Sequence, residues 1–541
     1  PPAGERVRVR GVSEGEGPAM TPYRGVFTDF NTILADKARR LGDKVYIESV
    51  DQGKRITFDQ LNRVTNRLAH FLRARGIKAN DRVSVLAENS IEALIIFFGV
   101  QRYGATLNAI NLEIREKNVR QILQDVRPKL ALWSRDLPSD PRPLGEGGAA
   151  PWIAFGAWDA ERPSKDDLFA LLAEFPDSPV PGIAVRKDGL CFVNYTSGTT
   201  DRPKGVLVTH DAYFCQSEST VDRLEITEAD TILDYRHFSW SSPQIASIGP
   251  SIQAGATLVF ARRFSQSHFF DWIKNHRVTV AIGIPTAINM LLSRPVPITK
   301  AELPHLRFMT SSTAPLPLEK HREFEARYGI PIVQLMGSTE SGFMAGNHPA
   351  RRKHGSVGPP MRHVNTRILD ESGNECPPGQ EGEVVVSGRQ VSLGNLLDAN
   401  TVQEFPKEGL RMGDLAYRDP DGYIFVTGRK KDIIIKGGVN IAAMEITNVL
   451  LQYPTLAEAA TIGVPDEIYG EAVVSFVAPR AGQTVTEESL QAQCRTKLAE
   501  FKLPKAIVVL ESIPKNANGK VAKDELLKLW QDHAGLRGGR T

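Results

Sequence analysis

A chain of 541 residues is longer than one hydrophobic core organises, so roughly two to four domains are expected. Apolar residues make up 41% and charged residues 24%, which excludes the disordered and membrane-embedded classes. With 66 basic against 63 acidic side chains and a net charge of +3, the chain lacks the cationic excess of a nucleic-acid-binding protein. Small-molecule partners, and a monomer or homodimer, are the expectation.

In chain order, residues 1–19 are rich in charge, Gly and Pro and contain no apolar core of a secretory signal, so they read as a flexible leader. From about residue 30 to 124 helices and strands alternate. Leu61, Val64, Leu68 and Leu72 keep helical spacing, and "DRVSVLA" reads as a strand. The longest apolar run, "ALIIFFGV" at 93–100, is far short of the ~18 residues a membrane span needs and reads as a buried helix. The stretch "DLPSDPRPLGEGGAAP" at 136–151 reads as a loop. This alternation predicts a layered α/β fold.

At 190–200 an apolar strand, "LCFVNYT", runs into "SGTT", and the segment closes on Lys204. Glycine lets backbone N–H groups approach phosphate oxygens, while hydroxyls and a lysine add donors and charge. The Walker A spacing is absent because Gly205 follows Lys204, so a P-loop NTPase is excluded. Phosphate loop and polar surface turn both fit this stretch alone.

Beyond residue 409 the chain turns to short strands and tight turns, with a basic cluster at Arg429, Lys430 and Lys431. Next come a predicted helix, strand, turn and strand over 444–482, then a helix capped by Thr486 or Glu487. A large domain over 20–429 and a small α+β domain over 430–541 are expected. Cys191, Cys215, Cys376 and Cys494 show neither CxxC nor Cys/His pairing, so no zinc site or disulfide framework is indicated and a cytoplasmic setting is expected.

Four separated segments share the order and spacing of one family's motifs: "YTSGTTDRPKG" at 195–205, "QLMGSTESG" at 334–342, "GDLAYRDPDGYIFVTGRKKD" at 413–432 and "PKNANGK" at 514–520. Together they resemble the adenylate-forming superfamily of acyl-CoA synthetases, peptide-synthetase adenylation domains and luciferases. Within it the chain looks most like fatty-acid or crotonobetaine/carnitine-type CoA ligases. The resemblance implies a ligase that joins a carboxylic acid to CoA through an acyl-adenylate, using ATP, Mg²⁺ and coenzyme A. It leaves as alternatives a stand-alone ligase loading a carrier protein and a non-catalytic acyl-adenylate or nucleotide sensor. CoA is the expected acceptor because little chain follows Lys520.

Residue by residue, the resemblance implies that Thr196, Ser197, Gly198, Thr199, Thr200 and Lys204 grip the β/γ-phosphates. Thr339 meets the α-phosphate and Glu340 holds Mg²⁺. Ser312, Thr313, Ala314, Pro315, Met336, Gly337 and Ser338 form the adenine side, Asp414 and Arg429 the ribose side, and Lys520 is the catalytic lysine. Lys431 is the implied hinge about which the small domain turns, bringing Gly437 and Gly438 to a thiol tunnel. His237 stands beside the acyl carboxylate, with Phe238, Trp240, Ile284, Thr310, Ser312, Ser338 and Met344 as expected walls. Arg236 could pair with a second carboxylate or polar head of the acid, but the expectation is that Asp234 neutralises it at a surface. The sequence departs from the family pattern at Met336, where an aromatic is usual, and at Thr313, where a glycine or other small residue is common. Met412 replaces a threonine and Ala443 a proline.

Overall fold

The computed structural model describes residues 25–111, 114–145, 150–196, 203–515 and 520–538. They form two eight-stranded sheets, a four-stranded sheet and a five-stranded sheet. In the first large sheet six central strands are parallel, ordered Ile332–Ser338, Phe308–Ser311, Val280–Ala281, Thr231–Asp234, Thr257–Phe260 and Val45–Ser49. Antiparallel partners close its edges.

The second large sheet carries the parallel strands Thr106–Ile110, Arg82–Leu86, Leu130–Ser134 and Trp152–Phe155. Leu190–Thr196 joins them in parallel and then pairs antiparallel with Lys204–Thr209. The helix Ile91–Tyr103 touches strands of both sheets and is buried on nearly every side, which is why its central run over 93–100 is apolar all round. Ser90 caps its start, accepting from the N–H of Ala93, and Gly104 ends it in the left-handed region at φ 83°. The helix Phe58–Ala74 begins with a capping box between Thr57 and Gln60 and buries Leu61, Leu68 and Leu72 against the core.

The four-stranded antiparallel sheet ends with Ile424–Arg429, and the five-stranded sheet begins with Ile433–Lys436. Between them lies a single 3₁₀ turn, Lys430–Asp432. The five-stranded sheet packs its own apolar cluster, with Ile434, Ile446, Leu450, Val473, Val477 and Leu490 buried beneath two helices. Thr486 caps the second of these by accepting from the N–H of Ser489. Among the described residues no helix is long and apolar enough to cross a membrane.

Candidate active site

Parallel strands of an open α/β sheet expose their carboxyl ends along one edge, where ligands bind. Here that edge carries His237 and its neighbours after Thr231–Asp234, Gly283 and Ile284 after Val280–Ala281, residues 312–315 after Phe308–Ser311, and residues 336–340 at the end of Ile332–Ser338. Three of the predicted groups are thus brought to one edge by topology.

The turn holding Thr339 and Glu340 is fastened on several sides. The Glu340 N–H donates to Ser338 Oγ at 3.2 Å, and the Glu340 carbonyl accepts from the Ser392 N–H at 2.8 Å. Ser392 Oγ donates to the Thr339 carbonyl at 3.1 Å, and Ser241 Oγ lies 3.0 Å from Thr339 Oγ1. Behind the turn, fully buried Gln390 donates to the carbonyls of Ser341 and Phe343 at 2.8 and 2.7 Å and accepts from Ser219 Oγ at 2.9 Å. Gly337 is required here, because a Cβ would lie 2.4 Å from the Gly342 carbonyl oxygen. The turn is therefore set before any ligand arrives, which is how an electrostatic site avoids reorganising during reaction. Ser241, Gln390 and Ser392 were not singled out by sequence reasoning. Gln390 and Ser392 stand outside the motifs, Ser241 lies in the stretch that holds His237, and only the tertiary fold shows what they hold.

Asp414 and Arg429 face each other across adjacent strands, and Arg429 Nε donates to Asp414 Oδ1 at 2.7 Å. Burial raises the Asp414 pKa, and the charges of Arg429 and Lys520 oppose that rise. Lys520 keeps exposed surface, yet desolvation by the protein around it, followed by the charge of Arg429, lowers its pKa, with Asp414 and Glu340 pulling the other way and Lys431 adding to the lowering. The small unit's lysine and the carboxylates of Asp414 and Glu340 therefore share one electrostatic neighbourhood.

In the segment expected on the adenine side, buried Ser312 presents a hydroxyl with no hydrogen-bond partner among the described residues. Thr313 sits at φ 76°, a backbone state that a β-branched side chain strains. Ala314, Pro315 and Met336 remain partly or well exposed on this edge.

Lys204 opens its strand directly opposite Thr196, so the predicted phosphate loop joins two antiparallel strands instead of a strand and a helix. Ser197, Gly198, Thr199 and Thr200 lie outside the described residues, as does the side chain of Thr196. Asn194, on the strand leading into the loop, exchanges hydrogen bonds with buried Gln244 at 2.8 and 3.1 Å. Gln244 also donates to the Phe238 carbonyl, which ties the loop's strand to the His237 segment.

The His237 segment corrects one expectation. Arg236 and Asp234 do pair, through two bonds of 2.7 and 2.9 Å, but in the interior, with side chains 1% and 0% exposed. Asp234 also accepts from Ser247 Oγ and from the backbone N–H groups of Tyr235 and Arg236, so the pair is fully hydrogen-bonded, as a buried ion pair must be. His237 Nδ1 accepts from the Ser239 N–H at 3.2 Å and lies 2.6 Å from Ser239 Oγ, which leaves the neutral ring's proton on Nε2. Burial lowers its pKa, with Glu88 opposing.

His237 and Phe238 line a cavity of about 30 Å³ together with Ala87, Leu94, Phe97 and Leu107. Among the expected walls, Met344 is instead buried in the main core, and the Thr310 hydroxyl accepts from the Gly283 N–H at 3.1 Å. Gly437 and Gly438 form the turn between Ile433–Lys436 and Val439–Ala442, at φ 59° and 83°. The Gly437 N–H donates to the Tyr469 carbonyl at 2.8 Å, within the small unit.

Residues 34–396 match the family model described as AMP-binding enzyme, and residues 445–520 match that of the AMP-binding enzyme C-terminal domain. The chain belongs to this family of adenylate-forming enzymes. The sulfoacetate–CoA ligase of Cupriavidus necator is 33% identical over 509 residues, covering 93% of this chain and 98% of the relative. The indoleacetate–CoA ligase of Aromatoleum aromaticum is 33% identical over 482 residues, covering 88% and 93%. Among solved structures, ATP-bound MatB from Rhodopseudomonas palustris superposes with a TM-score of 0.85 at 29% identity, covering 93% of this chain and 99% of that one. The Glu340 carboxylate is an oxygen donor of the hard type that Mg²⁺ prefers.

Proposed function

We infer that the chain is an ATP-dependent carboxylic acid–CoA ligase: acid and ATP give an acyl-adenylate and pyrophosphate, and CoA then takes the acyl group and releases AMP. The observation that carries this is the Asp414–Arg429 pair on the large unit, bonded at 2.7 Å and lying within the electrostatic field of Lys520 from the small unit. In the first step a carboxylate oxygen attacks the α-phosphorus while the pyrophosphate oxygen leaves. Two anions must approach, so cations have to offset the repulsion and hold the attacking oxygen in line. Lys520 supplies an ammonium on the carboxylate and α-phosphate, Lys204 faces the departing phosphates, and Thr339 donates its hydroxyl to the α-phosphate. Asp414 accepts the ribose hydroxyls, oriented by Arg429. Mg²⁺ held by Glu340 would neutralise phosphate charge.

The second step needs a thiol where Lys520 stood, and the turn Lys430–Asp432 is the place for the small domain to swing about Lys431. We accordingly divide the chain at residues 429 and 430, where one sheet ends and the next has yet to begin. His237, neutral and held by Ser239, closes the acyl side. Four unpaired cysteines, three of them buried, suit a reducing, cytoplasmic setting.

A panel of sulfonated, aryl and fatty acids, each incubated with ATP and Mg²⁺ with or without CoA, tests the reading. Acyl-CoA, AMP and pyrophosphate are expected with CoA, and bound acyl-AMP without it. Acyl-AMP that persists when CoA is added and is discharged only by a carrier protein would overturn the choice of thiol.

A further inference from the structure

One helix of the large unit, Leu318–Tyr328, reaches the small unit through Glu323. Arg480, after the strand Gly470–Pro479, donates from Nη1 to Oε1 at 3.0 Å and from Nη2 to Oε2 at 2.8 Å. This two-bond fork adds direction to the charge attraction. Arg480 is aimed by its own unit, since its Nε donates to the Pro454 carbonyl at 2.8 Å.

The pair belongs to a charged seam. Lys320, 4% exposed and one turn before Glu323, lies 3.5 Å from Glu323 Oε2 and within the field of Glu458 of the small unit. Glu458 in turn accepts from the Ile513 N–H at 3.1 Å and pairs with Lys515, which stands in the same motif as Lys520. Charged groups thus run from the large unit, through the field between Lys320 and Glu458, to the base of the segment that carries Lys520.

The base on the large unit is fixed. Glu325, two residues after Glu323, accepts from the Ile332 N–H at 2.7 Å, from His354 Nε2 at 2.9 Å, from His321 Nε2 at 3.2 Å and from Arg352. With this carboxylate anchored to the following strand and loop, the helix cannot follow Arg480 when the small unit turns. The fork must break.

We propose that Glu323 and Arg480 form a latch that favours the orientation in which Lys520 faces the adenylation site, and that both are positioning residues acting through Lys520. The inference rests on the two-step reading above. Their side chains are 26% and 30% exposed, so solvent screens the pair and it biases a population without locking it. Loss of the latch is expected to slow adenylation about fivefold, equivalent to about 1 kcal/mol at 1.4 kcal/mol per tenfold. Thioester formation from supplied acyl-AMP uses the other orientation and should be unchanged or faster.

The test measures both half-reactions in full-length wild type, Arg480→Glu, Glu323→Arg and the double charge-swapped variant. Acid-dependent pyrophosphate exchange into ATP reports the first step, and CoA acylation from preformed acyl-AMP reports the second. Slowed exchange with intact acylation in each single variant, and recovery to within about twofold of wild type in the double, supports the latch. Equal loss in both steps without recovery would show a merely structural pair, and unchanged exchange in the single variants would remove the latch outright. No exchange in wild type with any acid overturns the underlying functional reading instead.

Discussion

The two sides of this active site are held by different physics. The Thr339–Glu340 turn is fixed by buried hydrogen bonds from Gln390 and Ser392, whose donors and acceptors water cannot replace. Lys520 is brought in by a unit joined through one 3₁₀ turn and paired with the large unit by the partly exposed ion pair Arg480–Glu323. On the two-step reading proposed above, the site is rigid where phosphates are to be gripped and adjustable where a lysine is to leave and a thiol to enter.

The sharpest way to break this contrast is Lys520→Ala. It should lower acid-dependent pyrophosphate exchange by about 10²–10³-fold or more, the scale of losing an electrostatic donor, while acylation of CoA from preformed acyl-AMP persists. Gln390→Leu attacks the rigid side and should impair both steps together. It strands the buried carbonyls of Ser341 and Phe343 and should cost about 2–3 kcal/mol of stability, read as a fall in Tm.

A gentler probe is pH. Lys520 must carry its proton to act, and desolvation and Arg429 lower its pKa below the ordinary 10.5, so adenylation should fall with rising pH earlier than a free lysine would require. Asp414 opposes that lowering, so Asp414→Asn should move the alkaline limb to lower pH while raising KM for ATP. Measured pH profiles of the exchange reaction decide this. The smallest expected effect is from Thr313→Gly, which relieves a strained φ of 76° and should stabilise the protein by about 1 kcal/mol, seen as a modest rise in Tm.

Much of the frame was legible in the sequence because it is locally encoded. Thr57 with Gln60, Ser90 and Thr486 act as caps beside periodic apolar residues, and the all-apolar "ALIIFFGV" can only be an interior helix. The site's motif residues were legible through their types and order. Tertiary relationships were not. Arg236 and Asp234 read as surface charges because ionic side chains rarely sit inside, and only the hydrogen bonds from Ser247 and the backbone explain why this pair does. Gln390 and Glu323 act on partners far along the chain, and no short pattern marks them.

The central claim, that carboxylate activation by ATP comes before any thiol, is tested most directly by following labelled pyrophosphate into ATP with wild-type protein, Mg²⁺ and an acid panel, without CoA. The account predicts exchange that depends on the acid and is undiminished by the absence of CoA. Formation of ADP and phosphate, or exchange that begins only when CoA is added, would contradict it.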